Sequence, residues 1–175
     1  MKNDLRNAFK EDYEKLKELP DLARAEVIVD KMFEGKIDKE GKPYIDHLYF
    51  VSNQVDTEDE RVVGLLHDLL EDTDASLLEL QEVGFNDRVL SALILLTKVK
   101  GTDYSEYIDN LLNSNNLTAI KVKEADMRNN SDPERLKNLS PELQEKFTKK
   151  YSEPYKKIVE KIGELENDRY KINKR

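Results

Sequence analysis

The sequence contains no cysteine, and only two of its 175 residues are histidine. The lack of cysteine excludes a disulfide framework and thiolate chemistry, and it fits a reducing compartment. Only six glycines and five prolines are present, which disfavours a fold of many short strands and turns. The N-terminus lacks the apolar core of a signal peptide, and no apolar run approaches the roughly 20 residues that span a bilayer. We therefore expect a cytoplasmic protein with no membrane partner.

The charge balance of the chain is acidic. Lysine and arginine number 29 against 37 aspartates and glutamates, which gives a formal net charge of −8 at pH 7. A polymeric nucleic acid needs a basic face, so this balance argues against such a partner. A small phosphorylated ligand held by a metal ion and a few lysines remains compatible with it. The composition leaves the oligomeric state open.

Apolar residues recur at steps of three and four along most of the chain, as they do in amphipathic helices. Residues 5–19 are predicted to form one such helix before Pro20, and a long charged helix is predicted over about residues 140–168. Between them lies a motif-bearing core of about residues 20–135 with short polar connections. We predict a single all-α domain over residues 1–175, a bundle of about eight to ten helices.

Residues 64–73 combine an apolar helical pattern with several polar side chains. The pattern predicts one continuous helix, on which His67 lies four residues before Glu71 and Asp68 four before Asp72, so these side chains would crowd the same end of it. Three carboxylates and an imidazole among leucines are costly to bury unless a positive charge offsets them. A divalent metal ion does this well.

The second histidine, His47, and a further acid, Asp126, lie on two other predicted helices. Two neutral imidazoles and two carboxylates make a mixed nitrogen and oxygen set, which suits Mn²⁺, Fe²⁺ or Zn²⁺ better than Ca²⁺. Water or substrate would fill the remaining coordination positions, as metal-assisted hydrolysis requires. A nearby carboxylate can take the proton from that water.

Four segments occur in the order of a known family signature. They are KPYIDH at 42–47, LLHDLLEDT at 65–73, LTK at 96–98 and VKEADMRNN at 122–130. Together they resemble the HD-domain metal-dependent phosphohydrolases, and more narrowly the RelA/SpoT-like (p)ppGpp hydrolase branch. The resemblance implies a single HD-domain helical bundle that removes the 3′-pyrophosphate from (p)ppGpp with Mn²⁺. Because no synthetase-like region follows, it implies a small stand-alone enzyme.

The resemblance also implies roles for individual residues. The metal ligands would be His47, His67, Asp68 and Asp126. Glu71 and Asp72 would position and deprotonate the attacking water, and Asn130 would contact the nucleotide. Charge and position suggest Lys98, Arg128 and Lys39 as further substrate contacts. Mn²⁺ is the expected cofactor, and Co²⁺ or Ni²⁺ would also suit the set, as would Fe²⁺ or Zn²⁺.

The sequence departs from the family pattern at three places. Asp38 occupies the position of a basic residue that packs against guanine, and an acid cannot supply that cation–π contact. Leu48 replaces the usual proline after the first histidine, and the arginine of the last motif is moved to Arg128. These departures leave the nucleotide unidentified.

Two other functional interpretations remain open at this stage. The first is a non-catalytic sensor or interaction module that binds a metal or a nucleotide. The departures from the family pattern favour it. The second is a plain helical scaffold, in which His67 and Asp68 form a surface pair and the following acids are a solvated helix end. The complete set of ligands and acids favours the enzyme.

Overall fold

A computed structural model describes residues 4–173, apart from the side chain of the last of these. The α-helices are α1 (Leu5–Phe9), α2 (Asp21–Met32), α3 (Tyr44–Asn53), α4 (Glu58–Leu66), α5 (Leu69–Asp72), α6 (Leu77–Glu82), α7 (Asp87–Leu96), α8 (Tyr104–Asn113), α9 (Leu117–Asn130), α10 (Pro133–Leu136) and α11 (Pro141–Asn173). Within residues 4–173 the extended pairing is limited to one isolated bridge, between Ile37 and Pro43. The predicted all-α class is confirmed. No helix in the described part is long and apolar enough to cross a membrane.

The prediction of one regular α-helix over residues 5–19 is wrong. The α-helical part ends with α1, and two 3₁₀ segments follow at Lys10–Asp12 and Glu14–Glu18. Lys10 has a φ of +47°, a left-handed value that breaks the α-helical hydrogen-bond ladder. The apolar stripe is still buried, with Leu5 and Leu16 in the core.

The helix predicted through residues 64–73 is also not continuous in the structure. α4 begins with a capping box, in which the side chains of Thr57 and Glu60 accept from each other's backbone amides, but it ends before His67. His67 and Asp68 form a turn, and α5 is only a single turn. The polar residues of this region therefore do not share one helical face.

The long C-terminal helix α11 begins at Pro141, close to its predicted start at about residue 140, and extends beyond its predicted end at about residue 168. Pro154 lies inside it without ending it, because Tyr151 and Ile158 on either side are buried in the core. α10, which precedes α11, has only four residues, too few for an apolar periodicity to predict it. It begins where the side chain of Asp132 caps the backbone N–H of Glu134.

Three helices meet at the centre of the core, since α3, α4 and α9 each contact the other two. α3 and α4 approach closely at Gly64, where a Cβ atom would lie only 2.8 Å from Cα of Ser52. The hydroxyl of Ser52 also donates to the carbonyl of Arg61 at 2.9 Å. This junction brings the histidine-bearing ends of α3 and α4 next to α9.

Candidate metal centre and adjoining cleft

Side chains from α3, from α9 and from the turn after α4 converge at this junction. Nε2 of His47 lies 3.2 Å from Oδ1 of Asp126, and Nε2 of His67 lies 3.1 Å from Oδ2 of Asp68. One ligand atom from each of His47, His67 and Asp68 lies within 4.8 Å of the others. Oδ1 of Asp126 is 3.8 Å from Nε2 of His67. The fold thus brings together the residues that the resemblance implies as metal ligands.

Both imidazoles use Nδ1 for an outer contact and turn Nε2 towards this cluster. Nδ1 of His67 lies 2.7 Å from the backbone carbonyl of Gly64, and Nδ1 of His47 lies 2.7 Å from Oδ1 of Asn129. Outer contacts of this kind fix the orientation of metal-binding histidines. Asn129 is not predictable from the sequence as a site residue, because it occupies a helical position with no distinctive spacing.

Nε2 of His67 fits a metal ligand better than a structural hydrogen-bonding group. It is buried and has no hydrogen-bond partner, since its 3.1 Å contact with Asp68 lacks hydrogen-bonding geometry. Burial alone would lower the pKa of His67, but the carboxylates of Asp68 and Asp126 raise it well above 6.5. A buried ring nitrogen among carboxylates is a suitable environment for a divalent cation, which would take the place of the ring proton.

Each of the two carboxylates also accepts at least one hydrogen bond from a side chain outside the cluster. The hydroxyl of Tyr44 donates to Oδ2 of Asp68 at 2.6 Å. Asp126 accepts from Nζ of Lys123 at 2.8 Å and from Nδ2 of Asn130 at 2.6 Å. Burial opposes ionisation of Asp126, but the partly buried Lys123 ammonium and the imidazoles outweigh it and hold its pKa well below the usual range. Asp126 is therefore ionised, as a ligand must be.

The two acids that follow the turn are exposed and tied to other segments. Oδ2 of Asp72 accepts from Nζ of Lys36 at 2.7 Å. Oε1 of Glu71 accepts from the backbone N–H of Lys98. The side chain of Lys98 points elsewhere and donates to the carbonyl of Thr102 at 2.8 Å.

A cleft of about 450 Å³ adjoins the centre. Its lining includes a metal-ligand candidate, predicted substrate and catalytic residues, four cationic side chains and three aromatic rings: His47, Asn130, Asp72, Lys36, Lys39, Arg135, Lys150, Tyr44, Phe147 and Tyr151. A cleft of this size suits a small-molecule ligand. The lining also includes the acids Asp38 and Glu40, which with Asp72 leave only a small positive balance against the four cations.

The predicted substrate residues divide into two groups. Asn130 and Lys39 line the cleft, whereas Lys98 and Arg128 are not among its lining residues. Arg128 is half-exposed and lies 3.3 Å from a carboxylate oxygen of Glu124. The roles of Lys98 and Arg128 stay predictions, and the described contacts do not bring their side chains to the cleft.

Asp38 is neutralised by a cation from a different part of the chain. Its Oδ2 accepts from Nη2 of Arg135 at 2.9 Å, and its Oδ1 accepts from the backbone amides of Glu40 and Lys42. Arg135 belongs to α10 and itself lines the cleft. The cleft therefore has a cation beside the position where the family pattern has one, but α10 supplies it.

The sequence matches no protein-family model, and no curated protein matches it. Among solved structures, the chain is similar to a metazoan ortholog of SpoT that hydrolyzes ppGpp and plays a role in starvation responses. The two share 20% sequence identity, with a TM-score of 0.64 over 86% of this chain and 96% of that chain. The likeness confirms the predicted HD-domain helical bundle as the fold. A likeness at this identity concerns the fold alone.

Proposed function

We propose that the protein is a divalent-metal-dependent phosphohydrolase that cleaves a phosphate or pyrophosphate ester of a nucleotide. The 3′-pyrophosphate of (p)ppGpp is the leading candidate bond. The observation that carries this proposal is the buried, unpartnered Nε2 of His67, which faces carboxylates beside a cleft that holds two lysines, Lys39 and Lys150, with no carboxylate partner among the described residues. A phosphorylated substrate and a divalent cation are the ligands that suit these two environments.

The proposed metal ligands are His47, His67, Asp68 and Asp126. A divalent cation bound there acidifies water and offsets the negative charge of a phosphoryl group. Mn²⁺ is the proposed cation, because it accepts both imidazole and carboxylate ligands.

Glu71 and Asp72 are the proposed acceptors for the proton of the attacking water. The ammonium of Lys36 holds Asp72 at 2.7 Å, and the same ammonium lies 4.3 Å from the ring centroid of Tyr44. Lys36 therefore fixes one acid beside the side chain that contacts Asp68. Asn130 donates to Asp126 and lines the cleft, which suits a contact with the bound nucleotide.

Lys39 and Lys150 are the proposed contacts to the charged groups of the substrate. Their ammonium groups lie over the rings of Phe147 and Tyr104, at 4.5 and 4.6 Å from the ring centroids. Within residues 4–173 no carboxylate pairs with either of them, in contrast to Lys36. Burial and the nearby Lys123 ammonium lower the pKa of Lys150, as expected for a cation held close to another. A phosphate group would relieve this repulsion.

The proposal is tested by metal analysis of the purified protein, followed by a screen of nucleotide phosphates and pyrophosphates with added Mn²⁺. We expect release of phosphate or pyrophosphate from at least one compound. His67→Ala should lose both metal and turnover, whereas Glu71→Ala should keep metal and lose turnover. Glu160→Ala, an exposed acid on α11, is the matched control. Equal metal loss in the first two variants would reject this division of roles.

A non-catalytic binding module is the alternative, favoured by the bond between Glu71 and the backbone of Lys98. An acid that only stabilises the loop after α7 would need no catalytic role. Under this alternative, nucleotides bind tightly in the screen but no product forms with any metal, and Glu71→Ala lowers stability without changing nucleotide affinity.

A further inference from the structure

Oδ1 of Asn129 accepts hydrogen bonds from two sides. Nδ1 of His47 lies 2.7 Å away on one side, and Nη1 of Arg135 donates to the same oxygen from the other. The contact between His47 and Asn129 is buried, and the one with Arg135 is partly buried. Arg135 thereby reaches a candidate metal ligand through one intervening side chain.

The chemistry of these groups fixes the direction of both bonds. A guanidinium carries only donors, so the atom of Asn129 that faces Arg135 must be the amide oxygen and not the nitrogen. An oxygen cannot donate, so Nδ1 of His47 must carry the proton. Nε2 of the neutral ring then has its lone pair free, and it is the atom that faces Asp126 at 3.2 Å.

We propose that Arg135 is a positioning residue that sets the metal-binding tautomer of His47 by holding the amide of Asn129 in one orientation. Without a donor-only partner, the amide of Asn129 can rotate by half a turn and present its nitrogen to His47. The imidazole would then place its proton on Nε2, and this tautomer cannot bind a metal through that atom.

The second imidazole provides an internal comparison. Nδ1 of His67 faces the carbonyl of Gly64 at 2.7 Å, and a backbone carbonyl can only accept. The tautomer of His67 therefore does not depend on any side-chain orientation. Of the two rings, only that of His47 needs an orienting group of the kind that Arg135 supplies.

Arg135 also has a second set of contacts, which the test must separate from the first. Nη2 donates to Asp38 at 2.9 Å, and Nε lies 3.4 Å from Oε2 of Glu40. These contacts join α10 to the loop before α3. A purely structural role for Arg135 would operate through this loop and not through Asn129.

The test is the ring ¹⁵N spectrum of the metal-free protein at alkaline pH, combined with Mn²⁺ titrations at neutral pH. Because the chain has only two histidines, the spectrum contains two ring systems. The wild type should show both rings protonated at Nδ1. Arg135→Met and Arg135→Gln should give mixed tautomers at His47 alone. Methionine has no donor and glutamine can also accept, so neither holds the amide of Asn129 in one orientation. The Mn²⁺ affinity of both variants should fall about tenfold or more.

Two further variants separate orientation from structure. Asn129→Asp in the Arg135→Met background should return His47 to a single Nδ1–H tautomer, because a carboxylate has only acceptor oxygens. Asp38→Asn weakens the loop contact without touching Asn129 and should leave the tautomer of His47 unchanged. If Arg135→Met keeps a pure Nδ1–H ring and full Mn²⁺ affinity, or if Asp38→Asn reproduces its effect, the proposal is overturned.

This inference concerns the metal centre of the proposed function, but its test does not depend on turnover. A nucleotide screen without product would leave the tautomer result standing. An unchanged tautomer in Arg135→Met would remove the role of Arg135 and leave the phosphohydrolase proposal intact.

Discussion

The hydroxyl of Tyr44 donates to Oδ2 of Asp68 at 2.6 Å, which connects the first turn of α3 to the turn after α4. Burial and the adjacent carboxylate raise the pKa of this phenol, so it stays protonated and acts only as a donor. The ring is held in turn by stacking on Phe33, with centroids 5.5 Å apart and planes 7° apart. Tyr44 therefore orients a candidate metal ligand from outside the cluster.

Removing this hydroxyl should weaken metal binding without unfolding the protein. Tyr44→Phe keeps the stack on Phe33 but frees Oδ2 of Asp68, so Mn²⁺ affinity should fall about tenfold, as measured by titration. Tyr49→Phe is the control, since its hydroxyl donates to Asp30 on the surface. Equal affinity in the two variants would show that Asp68 needs no orienting donor.

The close approach of α3 and α4 should be intolerant of a side chain at Gly64. A methyl group there would meet the backbone of Ser52 at 2.8 Å, so Gly64→Ala should destabilise the protein by about 1–3 kcal/mol in urea unfolding. Gly163→Ala is the matched change, because a Cβ at that exposed position of α11 has no neighbour within 4 Å. It should stabilise the protein by about 0.5–1 kcal/mol.

As pH rises, the stability of the metal-free protein should fall while the additional stability that Mn²⁺ provides should grow. The folded pKa of His67 is raised, so its stabilising contribution is complete below 6.5 and is lost as pH rises through the folded value. The melting temperature of the metal-free protein should therefore fall over this range. Metal binding requires the neutral ring, so the increase in melting temperature on adding Mn²⁺ should grow over the same range.

Thermal melts with and without Mn²⁺ across this pH range measure both trends. His67→Gln has no titrating ring, so its metal-free melting temperature should lose this component of the pH dependence. A Mn²⁺ increment that is the same at every pH would contradict protonation of His67 as the competing event.

The two unpaired cations of the cleft should affect substrate binding more than chemistry. Lys150→Ala and Lys39→Ala each remove a charge-assisted contact, so KM for an active nucleotide should rise about tenfold while kcat changes little. Lys157→Ala is the control on α11, because that side chain is 54% exposed and its ammonium lies 3.5 Å from Oδ1 of Asp109. A fall in kcat with unchanged KM would place these lysines nearer the reacting bond.

The helices and the residues of the candidate metal centre were predictable from sequence because their signals are local. Apolar periodicity indicates α2, α3 and α9 directly, and the two histidines stand out because the chain has no others. The turn at His67 and Asp68 was not predictable, since the apolar pattern continues through it. Tertiary contacts of the side chains, and not helix propensity, decide where α4 ends.

Most of the side-chain contacts that surround the candidate metal centre cannot be predicted from the spacing of residues in the sequence. Arg135 and Lys150 look like ordinary solvated cations, and only the folding of α10 and α11 over the cleft gives them a role. Lys123 is different, because its place three residues before Asp126 on a helix does predict their contact. Tyr44 lies inside a recognisable motif, yet its bond to Asp68 depends on the packing of α3 against α4.

The interruption between α4 and α5 has a consequence for any attempt to regularise this region. Where a helix ends, its last carbonyls lose their backbone donors, and Gly64 instead accepts from the ring of His67. In a variant whose residues 58–72 formed one uninterrupted helix, the carbonyl of Gly64 would accept from a backbone N–H. The imidazole of His67 would then lose its hydrogen bond to that carbonyl. Helical order and cation affinity thus compete for a single oxygen atom.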